Sequence, residues 1–220
     1  MPDTSKRSLP VWQESIVLVA VAMVLAVVVK TFLLQAFYIP SESMEPTMLV
    51  DDKIVVQKVS YWSGGPQRGD IVVFDDPGGW LSAGQDARPG NVVQRALEKV
   101  GLFPSGGHLI KRVIGVGGDH VVCCTAGRLT VNGTAVDEPY LMDDTSTAQT
   151  PFDVKVPSGR LWVMGDNRGD SSASPQHIGD PGGGFVPEST VVGEAWLRLW
   201  PLGRAGFVDG TSAFDDVPSP

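Results

Sequence analysis

The stretch Tyr38-Ile39-Pro40-Ser41-Glu42-Ser43-Met44-Glu45-Pro46-Thr47 divides the chain into two regimes. Before it lies an apolar run, and after it come short β-like runs separated by turns. Two prolines bracket two serines. Each proline fixes its own φ and biases the residue before it towards extended geometry. The stretch reads as a stiff, non-helical strap that holds Ser41 and Ser43 just outside whatever buries the apolar run. It is either a site for hydroxyl chemistry or a polar linker leaving an anchor, and the rest of the chain decides between them.

Upstream, Ile16 to Val29 is unbrokenly apolar, and after Lys30 the run resumes as Phe32-Leu33-Leu34-Gln35-Ala36-Phe37. Residues 15–37 therefore predict one transmembrane helix, since a helix needs about 20 residues to cross the hydrocarbon layer. Lys30 interrupts the run, but its stem can snorkel to a headgroup. Trp12 at one end and Phe37-Tyr38 at the other suit the two interfaces. Lys6 and Arg7 precede the span, whereas Glu42, Glu45, Asp51 and Asp52 follow it. The positive-inside rule thus predicts a cytoplasmic tail (1–14) and an extracytoplasmic domain (38–207). A cleaved signal peptide has the same basic start and apolar centre. The run is longer than a usual signal core, however, and no small-x-small site follows at the expected place, so an uncleaved anchor is the reading adopted.

Downstream, Lys53–Val59, Ile71–Phe74, His120–Cys124, Arg128–Val131, Phe152–Val156, Leu161–Met164 and Val191–Trp200 read as strands, rich in β-branched residues and bounded by turn signals, and the core segment Leu109–Asp119 contains another around Lys111. Asn132-Gly133 is a strong hairpin signal, because both central residues of that turn need positive φ. Residues 75–107 read as a surface insertion carrying one short helix at 92–100. The polar tail at 208–220 reads as disordered. The expected fold is mainly β: a partly closed antiparallel β-barrel-like domain behind one N-terminal transmembrane helix.

Composition narrows the function. The 220 residues include 26 Gly and 17 Pro, which favours strands and loops over a helical bundle, and carry a net charge of −8. With no basic stripe, nucleic acid is excluded as a partner. The two cysteines are adjacent, Cys123-Cys124, leaving a strained vicinal disulfide and two buried thiols both open. The histidines, His108, His120 and His177, show no ligand spacing, so no metal is expected.

A serine becomes a nucleophile only when a base takes its proton. No Gly-x-Ser-x-Gly elbow is present. Gly169-Asp170-Ser171 hints at a trypsin-type serine loop, but Ser172-Ala173 replaces the glycines that should follow, and no histidine stands in a recognisable catalytic setting. The other available base is a neutral lysine. Lys111 lies in the apolar run Ile110-Lys111-Arg112-Val113-Ile114, where burial disfavours its charged form. Lowering its pKa from about 10.4 to about 7 needs roughly 4–5 kcal/mol of environmental bias. Arg112 would add like-charge pressure. The competing reading is an edge lysine pointing to solvent. A Ser-x-x-Lys pattern is ruled out at the strap, because Met44 and Pro46 stand three residues after Ser41 and Ser43.

Four blocks in order complete the pattern: Pro40–Thr47; Arg68-Gly69-Asp70-Ile71-Val72-Val73-Phe74; Lys111-Arg112-Val113-Ile114-Gly115-Val116-Gly117-Gly118-Asp119; and Gly165-Asp166-Asn167-Arg168 with Ser171. Behind an anchor, this arrangement resembles the bacterial type I signal peptidases. The resemblance implies a membrane-anchored Ser–Lys endopeptidase that removes signal peptides from exported preproteins after small-x-small sites. Ser43 would be the nucleophile and Lys111 the general base, with the Ser43 N–H and the Ser41 hydroxyl stabilising the oxyanion. Ser171 would help orient the lysine. Ile39, Met44, Met48 and Ile110 would line the substrate pockets, though each also suits an ordinary core. No cofactor is implied; the implied partners are signal peptides and the lipid bilayer. Location in the bacterial cell membrane, single-pass with the N-terminus cytoplasmic, follows.

One departure stands out. The family's last block usually continues with an acid and then an arginine, which brace the site; here Ala173 and Pro175 take those places. Asp166 or Asp170 could substitute. A non-catalytic, membrane-anchored β-domain that binds a partner is the rival reading. Ser43 falls about six residues beyond the expected span, so extended chain would carry it at most roughly 20 Å from the membrane boundary.

Overall fold

The computed structural model describes residues 10–29, 33–62, 64–81, 107–125, 127–142, 151–208 and 210–220. Its first element is the helix α1 (Val11–Val28), with no buried residue. By length and composition α1 can cross a membrane. It ends earlier than the sequence suggests. Leu34–Tyr38 is not its continuation but the strand β1, antiparallel to β2 (Lys53–Gln57), with Leu34 opposite Gln57 and Tyr38 opposite Lys53. A short apolar run past Lys30 has no periodicity that separates helix from strand. The edge of β2 supplies ladder partners, and these decide the matter. Val29 and Leu33 are still helical, so Ser43 stands ten residues beyond the last helical residue before β1 rather than six, and five of those ten belong to β1.

The remaining strands are β3 (Ile71–Asp75), β4 (His108–Gly115), β5 (His120–Thr125), β6 (Arg128–Val131), β7 (Thr134–Ala135), β8 (Phe152–Lys155), β9 (Arg160–Met164), β10 (Val186–Pro187), β11 (Val191–Trp200) and β12 (Gly206–Phe207). They form two antiparallel sheets. The larger runs β1-β2-β11-β3-β4-β9-β10, with β12 beside β11; the smaller runs β7-β6-β5-β8. The fold is mainly β, as the strand pattern predicts, but among the described residues the path from β1 to β10 does not close into a barrel. Asn132 and Gly133 both take positive φ and make the β6–β7 hairpin.

Strand β4 explains the oily setting of the lysine. It sits between β3 and β9, and every residue from Ile110 to Gly115 is buried. Both of its faces are covered, so its sequence reads as continuous apolar residues with Lys111 and Arg112 enclosed, not as an alternation.

The tail overturns the expectation of disorder. Val208, Phe214 and Val217 are buried, and the last two join the core beneath the smaller sheet. Arg68 donates to the carbonyls of Val217 and Pro218 at 3.2 and 3.1 Å while its guanidinium is paired with Asp119. Polar composition hid three apolar residues that dock and two carbonyls that find the Arg68 guanidinium. Cys123 and Cys124 are joined to each other. Of the expected insertion, residues 75–81 and 107 are described, with Asp75 the last residue of β3; the short helix at 92–100 lies outside the described residues.

Candidate active site

The strap is held at both ends by its own backbone. Ile39 N donates to Asp52 O and Asp51 N to Ile39 O, each at 3.0 Å. Between these ties it turns rather than running extended: Glu45 N bonds Glu42 O at 3.0 Å and Met48 N bonds Met44 O at 2.8 Å. The buried Asp52 carboxylate accepts from Leu49 N at 2.9 Å and lies 3.2 Å from the Arg204 guanidinium. Arg198 donates to Thr47 O at 2.8 Å. The strap is therefore fastened to the end of β11 as well as to itself.

This loop delivers Ser43 to β4. Lys111 Nζ lies 2.6 Å from Ser43 Oγ, and both residues are buried. The two come from chain positions 68 apart. Burial lowers the Lys111 pKa from its ordinary value to about 8, while the Asp166 and Asp170 carboxylates pull it back upwards. The bias amounts to about 3 kcal/mol. It comes from desolvation and not from Arg112, contrary to the expected like-charge pressure, because the Arg112 guanidinium is spent elsewhere. It grips Asp166 through Nε and Nη2 at 2.8 and 2.7 Å and donates to Gly69 O at 2.9 Å, with the Tyr140 ring 4.1 Å from its centre.

Asp166 also accepts from Thr47 Oγ1 at 2.5 Å. One carboxylate thus ties the strap to the strand that carries the lysine. The neighbouring Asn167 reinforces this: its N–H donates to Ser43 O and its side chain to Glu42 O, both at 3.2 Å. Sequence reasoning offered Asp166 as a brace; it missed Thr47 and Arg112 as its partners, although both lie inside quoted blocks.

Ser41 is exposed, with its hydroxyl 3.3 Å from Ser43 Oγ. The Ser43 N–H donates to no acceptor among the described residues. Two donors therefore stand next to the nucleophile candidate, in the arrangement a developing oxyanion needs. Ser171 is placed differently from expectation. Its hydroxyl is buried but makes no hydrogen bond among the described residues, to Lys111 or to any other group. It lies against Gly165, where a Cβ would collide with both Ser171 Oγ and Ser43 O, so only glycine lets these two approach. Ile39, Met44, Met48 and Ile110 do come together, in a core cluster with Ile54 and Val56. Met44 and Met48 are fully buried within it.

The histidine survey missed one arrangement. Ser172 Oγ lies 2.8 Å from His177 Nε2, and His177 Nδ1 lies 2.6 Å from Asp180 Oδ2. The spacing Ser-x4-His-x2-Asp is unremarkable in sequence, and only the turn over Ser174–His177 gathers the three.

Taken together, a buried amine against a hydroxyl, with the Ser43 N–H and the Ser41 hydroxyl beside it, can run acyl transfer to serine. The known proteins this chain is similar to are peptidases. The family model described as signal peptidase, peptidase S26, matches residues 12–200. Signal peptidase I of Mycobacterium tuberculosis is 42% identical over 94% of this chain and 78% of its own length. The probable signal peptidase I of Mycobacterium leprae is 40% identical over 96% of this chain and 83% of its own. Signal peptidase I U of Bacillus subtilis is 30% identical over 87% and 90%. A signal peptidase I crystal structure from Enterococcus faecalis aligns with 59% of this chain and 95% of its own at 25% identity, with a TM-score of 0.38.

Proposed function

Because the chain belongs to the peptidase S26 family of signal peptidases, we propose that it is a membrane-anchored endopeptidase that removes signal peptides from exported preproteins with a Ser43–Lys111 dyad. The observation that carries the dyad is the 2.6 Å approach of Lys111 Nζ to Ser43 Oγ inside a buried strand.

The Ser43 oxygen attacks the scissile carbonyl carbon while its proton passes to the Lys111 amine. Negative charge gathers on the carbonyl oxygen, which takes hydrogen bonds from the Ser43 N–H and the Ser41 hydroxyl. The C–N bond then breaks, and Lys111 returns the proton to the departing amine, the new N-terminus of the mature protein. The signal peptide is left as an ester on Ser43. Lys111, neutral again, draws a proton from water, and hydrolysis frees the serine. Cleavage follows small-x-small sequences, with Ile39 and Ile110 on the flanks of the pockets and Met44 and Met48 behind them. Ser171 acts from beside Gly165 by keeping the lysine aimed at Ser43 once substrate tightens the site.

The chain sits in the bacterial cell membrane by α1, with its N-terminus cytoplasmic and the β domain outside. Exposed apolar side chains support contact with the bilayer surface: Trp196, Leu199, Trp200, Leu202 and Phe207 cluster where β11 meets β12. Trp200 lies across Lys53 from Tyr38, at the same end of the sheet as the start of the strap.

The test is incubation of the purified chain in lipid–detergent micelles with a preprotein carrying an Ala-x-Ala site. Cleavage after that site, absent in Ser43→Ala and in Lys111→Met, is the expected result. Full cleavage by Lys111→Met would refute the dyad.

A further inference from the structure

The segment that follows Ser171 lacks a ladder. Ser171 to Ala173 lie outside any strand, although Ser171 and Ala173 have extended backbones. Ala173 and Pro175 bring no side-chain hydrogen bond of their own. Yet the position of the buried Ser171 hydroxyl, packed at Gly165 beside Ser43 O, depends on how this segment is held.

We propose that Ser172, His177 and Asp180 form a hydrogen-bond relay that positions Ser171 beside the dyad, which makes His177 a positioning residue for peptide-bond cleavage. The inference rests on the proposed Ser43–Lys111 reaction.

The buried member of the relay, His177, is held by its ring, while Ser172 and Asp180 sit at the surface. The His177 ring stacks on Trp80, with centroids 4.4 Å apart and planes 7° from parallel, and Trp80 meets Phe74 of β3 edge-on. Ring flips and tilts are thereby restricted. An Asp180 carboxylate only accepts, so Nδ1 carries the proton that faces it. Nε2 of the neutral ring accepts from the Ser172 hydroxyl; in the charged ring it donates to the same oxygen. The contact with Ser172 survives either state. Gln176 Oε1 accepts from Ala173 N at 3.1 Å, and Ser174 Oγ accepts from Val163 N of β9 at 2.9 Å. Gly184 closes over the turn so tightly that a Cβ would collide with Ser174 O. Ser171 is thus fixed from its C-terminal side by a turn whose exposed corner, Ser172, is held by His177.

The assay is steady-state cleavage of a synthetic peptide spanning an Ala-x-Ala signal-peptide site by the full chain in micelles. His177→Ala and Asp180→Asn should lower kcat about tenfold with KM within twofold. His177→Gln, which keeps a donor and an acceptor, should recover part of the loss. Ser171→Ala should lower kcat similarly, and adding His177→Ala to it should cost nothing more, because both act through one hydroxyl. Losses that multiply in the double variant, or a wild-type kcat in His177→Ala, overturn the proposal. Should His177→Ala fail to fold, Ser172→Ala removes one exposed hydroxyl and is read by the same cycle. Acylation of Ser172 by a fluorophosphonate in the Ser43→Ala background would mark a second nucleophile and overturn the positioning role. A wild-type chain that cuts nothing sinks the dyad reading itself; wild-type cleavage with multiplying losses sinks only the relay.

Discussion

Arg112 and Asp166 form a two-pronged ion pair, at 2.8 and 2.7 Å, with both side chains nearly free of solvent, one residue along β4 from Lys111. Breaking such a pair strands a charge in the interior. Arg112→Met should lower stability by about 3–5 kcal/mol, because Asp166 then loses its main partner. The measurement is urea unfolding of the chain in micelles. A variant as stable as wild type would show that the pair does not hold the site together.

The rate should depend on the charge of one amine. Lys111 must be neutral to take a proton, and its pKa is about 8. Well below that pH the neutral fraction, and with it kcat/KM, falls tenfold per unit; above it the rate levels off. A flat profile from pH 5 to 9 contradicts the assignment.

Asp170 offers a finer check of the same amine. Its carboxylate raises the Lys111 pKa against the effect of burial. Removing that charge in Asp170→Asn favours the neutral amine, so the acid limb of the kcat/KM profile should move to lower pH. A shift to higher pH would reverse the sign and refute the electrostatic account.

Gly165 is one of the places where the last block packs against the strap. In Gly165→Ala the new methyl collides with Ser171 Oγ and with the Ser43 carbonyl. Overpacking of this kind costs about 1–3 kcal/mol. Here it also displaces the nucleophile, so cleavage should fall by at least about 100-fold, the effect of a misplacement near 1 Å. An active, stable Gly165→Ala enzyme would show that the two segments part easily.

Phe214 tests the docked tail. It is buried in the core under the smaller sheet, so Phe214→Ala should cost about 3–5 kcal/mol, read as a drop in Tm. A truly loose tail would show no change.

The site was legible in sequence to the extent that chemistry is local. Ser41, Ser43, Lys111 and Asp166 stand in short runs whose order marks them. What two residues share across space was not legible. Whether Lys111 faced solvent or core depended on β3 and β9 flanking β4, and no single-strand pattern records that. The role of Arg112 reversed for the same reason: beside lysine in the chain it looked like a repelling charge, but Asp166 neutralises it. Leu34–Tyr38 failed because an apolar segment after Lys30 suits a helix or a strand equally well, and β2 supplied the ladder. The tail failed because polar composition outvoted Phe214 and Val217. His177 was passed over because its partners lie in an irregular turn, where spacing carries no period.

The paired bonds between Ile39 and residues 51–52 have a mechanical consequence. They cut the lever between α1, the proposed anchor, and the Ser43–Lys111 pair. Membranes of unequal thickness make a single helix lean by different amounts, but that leaning is exerted upstream of the tie, while the serine downstream of it belongs to the β domain. An enzyme built this way keeps its cutting geometry as lipid composition drifts.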